Sequence, residues 1–234
     1  RAQVLIQALP YIQKYNGKIV VIKYGGNAML NDDLKKAVMG DLLLLQLVGM
    51  KVVLVHGGGP EINQMLKRLD IISEFVDGLR VTDAETMEIV EMVLGGKVNK
   101  AIVSGLNASG GRAIGISGKD DGLIEAEPMD PSGQMGFVGQ VTKINPGIIE
   151  TMIDNGYIPV IAPIGIGLEQ ETYNINADLV AAAIAVAINA DKLVLLTDVP
   201  GLLQDPSNPD SLISILAISE VDELIKNGTI AGGM

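Results

Sequence analysis

Val20-Val21-Ile22-Lys23-Tyr24-Gly25-Gly26-Asn27-Ala28-Met29 carries the strongest signal in this chain. A β-branched run ends in a lysine, two glycines follow, and a helix start comes next. The run reads as a buried strand that delivers one positive charge to the edge of a sheet. Paired glycines let a ligand approach the backbone and leave N–H groups to bind an anion. Open α/β sheets hold ligands there, at the carboxyl ends of parallel strands.

Outward from this stretch, strands and helices alternate. Residues 19–23 form the first strand. Asn31 is an N-cap, with Asp32 and Asp33 in a first turn that favours acids, and the helix runs to about Val48, where Gly49 stops it. Residues 52–55 are the second strand, and Gly57-Gly58-Gly59-Pro60 opens the next helix. Thr82-Asp83-Ala84-Glu85 reads as a capping box before a long helical stretch. Residues 113–116 read as a short strand, and 123–144 as a hairpin excursion. Pro146 starts a helix that Gly156 ends. Residues 157–164 are a strand, 177–189 a small-residue helix and 192–197 another strand. Ser219-Glu220-Val221-Asp222 caps a last helix ending near Gly228. This alternation predicts an α/β fold, a three-layer αβα sandwich around a mostly parallel sheet.

Composition narrows the chemistry. The chain has 234 residues, 48% hydrophobic, with no segment near the roughly 20 apolar residues that span a bilayer. No signal peptide is visible, so a cytoplasmic location is expected. Arg1 is not a natural start, which implies a processed or trimmed terminus. A net charge of −11 disfavours nucleic acid and membrane surfaces as partners. Cysteine is absent and His56 is the single histidine, so thiolate catalysis, disulfides and multi-histidine zinc sites are excluded. No metal ligand set is expected. Gly95-Gly96-Lys97-Val98 and Gly115-Ile116-Ser117-Gly118-Lys119-Asp120 fail as P-loops, and no Gly-x-Gly-x-x-Gly follows the first strand.

Candidate site residues each carry two readings. His56-Gly57-Gly58-Gly59-Pro60 is a tight turn, or a cradle of three free N–H groups at a helix N-terminus for phosphate or carboxylate; three glycines favour the cradle. His56 itself reads better as a hydrogen-bonded structural histidine than as a catalyst. Lys23 is a surface lysine or a strand-end cation at the site; its place between Ile22 and Tyr24, with glycines following, favours the second. Arg80, in Gly78-Leu79-Arg80-Val81-Thr82, is a carboxylate clamp or a surface ion pair. Asn174-Ile175-Asn176-Ala177-Asp178 puts two amides on one side of a strand and an acid in a first helical turn, more than a cap needs. Thr197-Asp198-Val199-Pro200-Gly201 is a nucleotide contact or a simple turn.

Together these segments resemble the amino acid kinase family in order and spacing, over essentially the whole chain. The Gly-Leu-Arg-Val-Thr and Asn-x-Asn-Ala-Asp pieces are similar to its acetylglutamate branch. The resemblance implies the carbamate kinase-like fold, ATP and Mg²⁺ as cofactors, and phosphoryl transfer to the side-chain carboxylate of N-acetyl-L-glutamate, the second step of arginine biosynthesis. It implies Lys23 as a catalytic cation oriented by Asp178, with Gly25 and Gly26 on phosphate oxygens. Gly57 and Gly58 would receive the reacting carboxylate or the phosphoryl group. Arg80 would clamp the substrate α-carboxylate, Asn174 and Asn176 its acetylamino or carboxylate groups. Thr197 and Asp198 would belong to the nucleotide side.

The same resemblance divides the chain into an N-terminal kinked helix (1–17), a substrate lobe with a dimer interface (18–189) and a partial nucleotide lobe (190–234). A second family lysine, expected after a Gly-Met segment, is absent where the chain stops at Met234. A chain ending there is expected to be inactive or severely impaired. Val4, Ala8, Tyr11, Ile12 and Tyr15 recur at helical spacing, with Pro10 expected to kink the helix. Such a helix packs on its own domain, or resembles the one that interlaces dimers into hexamers in arginine-inhibited members, with L-arginine as effector. Competing readings are an acetylaminoadipate or aspartate kinase, a non-catalytic amino acid sensor and, disfavoured by the missing fingerprint, a nicotinamide oxidoreductase.

Overall fold

The computed structural model describes residues 2–29, 31–197, 199, 201–205 and 207–230. Along the chain run α1 (Ala2–Tyr15), β1 (Ile19–Tyr24), a 3₁₀ turn (Gly26–Met29), α2 (Asp32–Leu47), β2 (Lys51–His56) and α3 (Gly59–Arg68). A hairpin of β3 (Phe75–Val76) and β4 (Leu79–Arg80) precedes α4 (Ala84–Glu91), a π-helical segment (Met92–Val98) and α5 (Asn99–Ala108). Then come β5 (Ala113–Ser117), β6 (Ile124–Pro128), β7 (Val138–Ile144), α6 (Gly147–Asp154) and β8 (Ile158–Ala162). The chain continues through β9 (Ile164–Ile166), β10 (Thr172–Ile175), α7 (Ala177–Ala187), β11 (Lys192–Leu196) and α8 (Ile218–Lys226).

The central sheet is parallel throughout, in the order β11-β1-β2-β8-β5. Strand alternation sends Val20, Ile22, Val52 and Leu54 to one face, where they pack with Met39 and Leu42 of α2 and Ile102 and Leu106 of α5. It sends Val21, Val53 and Val55 to the other, against Ile149 and Ile153 of α6 and Val180 and Ile184 of α7. Both faces are covered, which is why β1 and β2 read as unbroken apolar runs. Each such side chain stabilises the fold by about 1.5–3 kcal/mol when fully buried. β1 and β2 are therefore the fixed centre from which both glycine turns emerge. Lys23 follows Val21 on the α7 face, so the strand's own period aims it at that helix.

Several boundaries differ from the sequence reading. Asp83, not Thr82, caps α4, accepting from the Thr86 amide at 2.8 Å. Thr82 is fully buried and ties Arg80 to Asn174 instead. The last helix starts at Ile218 with Ala217 as N-cap, and Glu220 reaches back to the Ala217 amide at 2.7 Å. The strand expected over residues 157–164 breaks at Pro163 into β8 and β9, because proline cannot donate to the ladder. β9 leaves the central sheet and closes a small barrel with β6, β7 and β10. The hairpin excursion expected over residues 123–144 is β6 and β7, paired antiparallel.

Candidate active site

A cleft of about 280 Å³ opens beyond the carboxyl ends of β1 and β2. Adjacent strands bring the two glycine turns together: Tyr24 lies beside His56 in register, and the Gly57 amide donates to the Tyr24 carbonyl at 2.8 Å. A Cβ on Gly25 would stand 3.3 Å from Lys23 Cε and 3.7 Å from Gly57 Cα. Glycine there leaves the lysine its path between the turns. The Gly57 donation corrects one expectation. Not three but two of the second turn's amides, those of Gly58 and Gly59, head α3 as first-turn donors lacking an intrahelical acceptor.

The β10–α7 crossing forms the opposite wall. Asn176 caps α7, its Oδ1 accepting from the Asp178 and Leu179 amides at 2.8 and 3.2 Å. The cap holds Asp178 in the first helical turn, where the dipole favours a carboxylate. Asp178 Oδ2 then lies 3.1 Å from Lys23 Nζ. The lysine side chain is only 17% exposed, so its ammonium is fixed at the mouth of the turns and not solvated on the surface. Asn174 donates to Thr82 Oγ1 at 3.1 Å, which keeps its Oδ1 available as an acceptor at the cleft.

Arg80 enters from the β3–β4 hairpin and is 7% exposed. Its guanidinium donates to Asn63 Oδ1 at 2.7 Å and to Ser73 Oγ, and its carbon lies 4.7 Å from the Phe75 ring centroid. Burial pulls its pKa below the usual value. Arginine nevertheless stays charged at neutral pH, because its ordinary value lies far above 7. Among the described residues, Lys23 and Arg80 are the cations lining the cleft and Asp178 its carboxylate. In a chain of net charge −11, that makes the cleft a local positive site suited to an anion.

The structure thus brings Lys23, Gly25, Gly26, Gly57, Gly58 and Arg80 to one cleft. Asn174, Asn176 and Asp178 complete its wall. Thr197 stands apart: it follows β11 beside β1, outside the cleft lining, and its Oγ1 accepts from the Val199 amide at 3.5 Å. Asp198 lies outside the described residues. His56 is fully buried and lies behind the second turn, as the structural reading expected.

Phe75 and Leu94 of the lining went unread in the sequence. Phe75 and Leu79 flank a two-residue turn, Asp77-Gly78, with φ of 49° and 79°. An Asp-Gly pair is a recognisable hairpin signal, so this wall was legible. Leu94 sits in the π-helical segment, where a widened turn shifts the apolar face. A Cβ on Gly58 would lie 2.5 Å from Leu94 Cδ2, so only glycine allows this close approach.

Comparison with known proteins follows the same lines. The family model described as "Amino acid kinase family" matches residues 18–234. Acetylglutamate kinase of Syntrophomonas wolfei subsp. wolfei is 66% identical over 234 residues, 100% of this chain and 82% of that protein. The crystal structure of smu.665 from Streptococcus mutans UA159 has a TM-score of 0.81 at 33% identity, covering 92% of this chain and 85% of that one. Carbamate kinase from Giardia lamblia bound to AMP-PNP has a TM-score of 0.68 at 21% identity, covering 93% and 85%. That last likeness is one of fold.

Proposed function

This chain belongs to the amino acid kinase family, and we propose that it phosphorylates the side-chain carboxylate of N-acetyl-L-glutamate with ATP, giving N-acetyl-L-glutamyl 5-phosphate. The observation that carries the reading is the Lys23 ammonium, held 3.1 Å from Asp178 in a cleft walled by two touching glycine turns. The relatives' name supports the substrate.

The chemistry needs no general base. A glutamate side chain has a pKa near ~4.3 and is already ionised as the nucleophile. The barrier is the approach of an anion to a polyanion. Fixed donors must offset that repulsion as the metaphosphate-like transition state forms. Lys23 stabilises the migrating phosphoryl group, and Asp178 holds Lys23 in place. The Gly25–Gly26 turn binds phosphate oxygens. At the second turn the amide that meets the reacting carboxylate or phosphoryl group is that of Gly58, because Gly57 already donates to Tyr24. Arg80 clamps the substrate α-carboxylate. Asn176 donates through Nδ2, and Asn174 accepts through Oδ1 from the acetylamino N–H.

Among the described residues no group of three or more His, Cys, Asp or Glu is placed to hold a cation. Mg²⁺ accordingly enters our reading as a companion of the nucleotide, bound mainly by phosphate oxygens, as is usual for this ion. Thr197 and Asp198 would belong to the nucleotide side. Our reading further includes the substrate lobe over 18–189, the nucleotide lobe from 190, a cytoplasmic location and place in arginine biosynthesis, a homodimer extended to a hexamer through α1, and L-arginine as effector.

The test is calorimetry of the full-length protein with N-acetyl-L-glutamate, N-acetyl-L-aminoadipate, glutamate and aspartate, followed by hydroxylamine trapping of the acyl phosphate with ATP and Mg²⁺. Preference for N-acetyl-L-glutamate in both supports the reading. Preference for aspartate or acetylaminoadipate overturns the substrate. Tight binding without any trapped hydroxamate favours a sensor.

A further inference from the structure

The second glycine turn rests on a buried polar relay that the reaction itself does not use. Asn99 is 1% exposed, and its amide orientation is fixed from two sides. Its Nδ2 donates to the Val160 carbonyl at 2.9 Å, an acceptor only, and its Oδ1 accepts from Lys100 Nζ at 3.0 Å, a donor only. The same Nδ2 lies 3.2 Å from His56 Nε2. An NH₂ group facing Nε2 requires a lone pair there, so the neutral ring carries its proton on Nδ1. Nδ1 lies 2.7 Å from the Gly57 carbonyl oxygen, which it must then meet as a donor.

No cis bond occurs among the described residues, so the Gly57 C=O and the Gly58 N–H point in opposite directions. With the carbonyl drawn back to the buried imidazole, the Gly58 amide is turned away from it, toward the cleft that Gly57 and Gly58 line. Packing makes room for this relay. A Cβ on Gly115 would fall 1.8 Å from Asn99 Oδ1, and the π-helical segment just before Asn99 is what presses Leu94 against Gly58.

We propose that His56 and Asn99 are positioning residues that hold the Gly57–Gly58 peptide with its amide aimed at the substrate carboxylate. The proposal rests on the reading that this cleft takes N-acetyl-L-glutamate, and its two measurements separate the two. First, His56 is the only histidine in the chain, so its imidazole ¹⁵N spectrum needs no assignment. A neutral ring protonated at Nδ1 is expected at pH 7; the Nε2–H tautomer or a charged ring overturns the relay. Second, calorimetry with N-acetyl-L-glutamate compares the wild-type chain with His56→Leu and His56→Asn, after thermal melts establish that each is folded. Asparagine places an N–H near the position of Nδ1. Affinity is expected to fall about 10-fold or more in His56→Leu and to stay within about threefold in His56→Asn. Equal losses in both, or no loss in His56→Leu, overturn the proposal. If the wild-type chain fails to bind, the substrate assignment is overturned and the imidazole spectrum decides the relay alone; the spectrum also decides it if His56→Leu does not fold.

Discussion

Lys23 Nζ and Asp178 Oδ2 meet at 3.1 Å across the junction between β1 and α7. The contact joins the first strand to a helix that begins 154 residues later (177 − 23 = 154). It is a consequence of strand period and helix capping: Lys23 points to the α7 face because Val21 does, and Asn176 fixes where Asp178 begins its turn. With Asp178 42% exposed, the pair adds little to stability. Its value lies in restricting the ammonium to one place.

Asp178→Asn therefore tests orientation more than folding. The rate of phosphoryl transfer is expected to drop about 10-fold or more, equivalent to ~1.4 kcal/mol in the barrier. Loss of the helix-dipole contact should lower stability by no more than about 1 kcal/mol. Single-turnover trapping with hydroxylamine and a parallel denaturation curve measure the two effects. A large stability loss with an unchanged rate contradicts the orienting role.

Gly58→Ala places a Cβ 2.5 Å from Leu94 Cδ2. Destabilisation of about 1–3 kcal/mol is expected from overpacking. Leu94→Ala removes the obstructing group, so the double variant should recover part of the loss relative to the sum of the singles. Strict additivity in urea denaturation contradicts the contact.

Burial pushes the His56 pKa from an ordinary 6.5 down to about 4. Between those values the unfolded chain binds a proton that the folded chain does not, so stability falls as pH is lowered through that window. The full contribution is present above pH 6.5 and amounts to about 3 kcal/mol. Denaturation curves at pH 7.5, 6, 5 and 4 should show His56→Asn losing this part of the slope. Identical pH dependence in the variant and the wild type contradicts a neutral buried histidine.

Exposed apolar side chains on α1, Ile6 at 67%, Leu9 at 48% and Tyr11 at 67%, fit the oligomer in the proposed reading. Deleting residues 1–15 is expected to lower the mass measured by light scattering. An unchanged mass removes α1 from the assembly.

Much of the fold was legible because β1, β2 and their glycine turns are local patterns with few alternatives. The capping of α2 by Asn31 and the stop at Gly49 followed from short-range chemistry. What stayed hidden depended on contacts distant in sequence. Thr82 reads locally as a cap, yet Arg80 and Asn174 recruit its hydroxyl into the interior, leaving Asp83 to cap the helix. The barrel formed by β6, β7, β9 and β10 has short strands whose partners only the tertiary fold supplies. Lys23, Gly25, Gly26, Gly57, Gly58, Arg80, Asn174, Asn176 and Asp178 were readable as candidates and line one cleft, whereas Thr197 does not, and the Gly57 amide was counted as free because its acceptor, Tyr24, sits on another strand.

The most direct measurement is single-turnover trapping of the acyl phosphate from N-acetyl-L-glutamate, ATP and Mg²⁺ by the full-length protein and by its Lys23→Met variant. The wild type should form N-acetylglutamyl hydroxamate, and Lys23→Met should form it at least about 100-fold more slowly while staying folded. Equal rates in the two proteins, or hydroxamate from aspartate alone, would contradict a cleft built around the Lys23 ammonium.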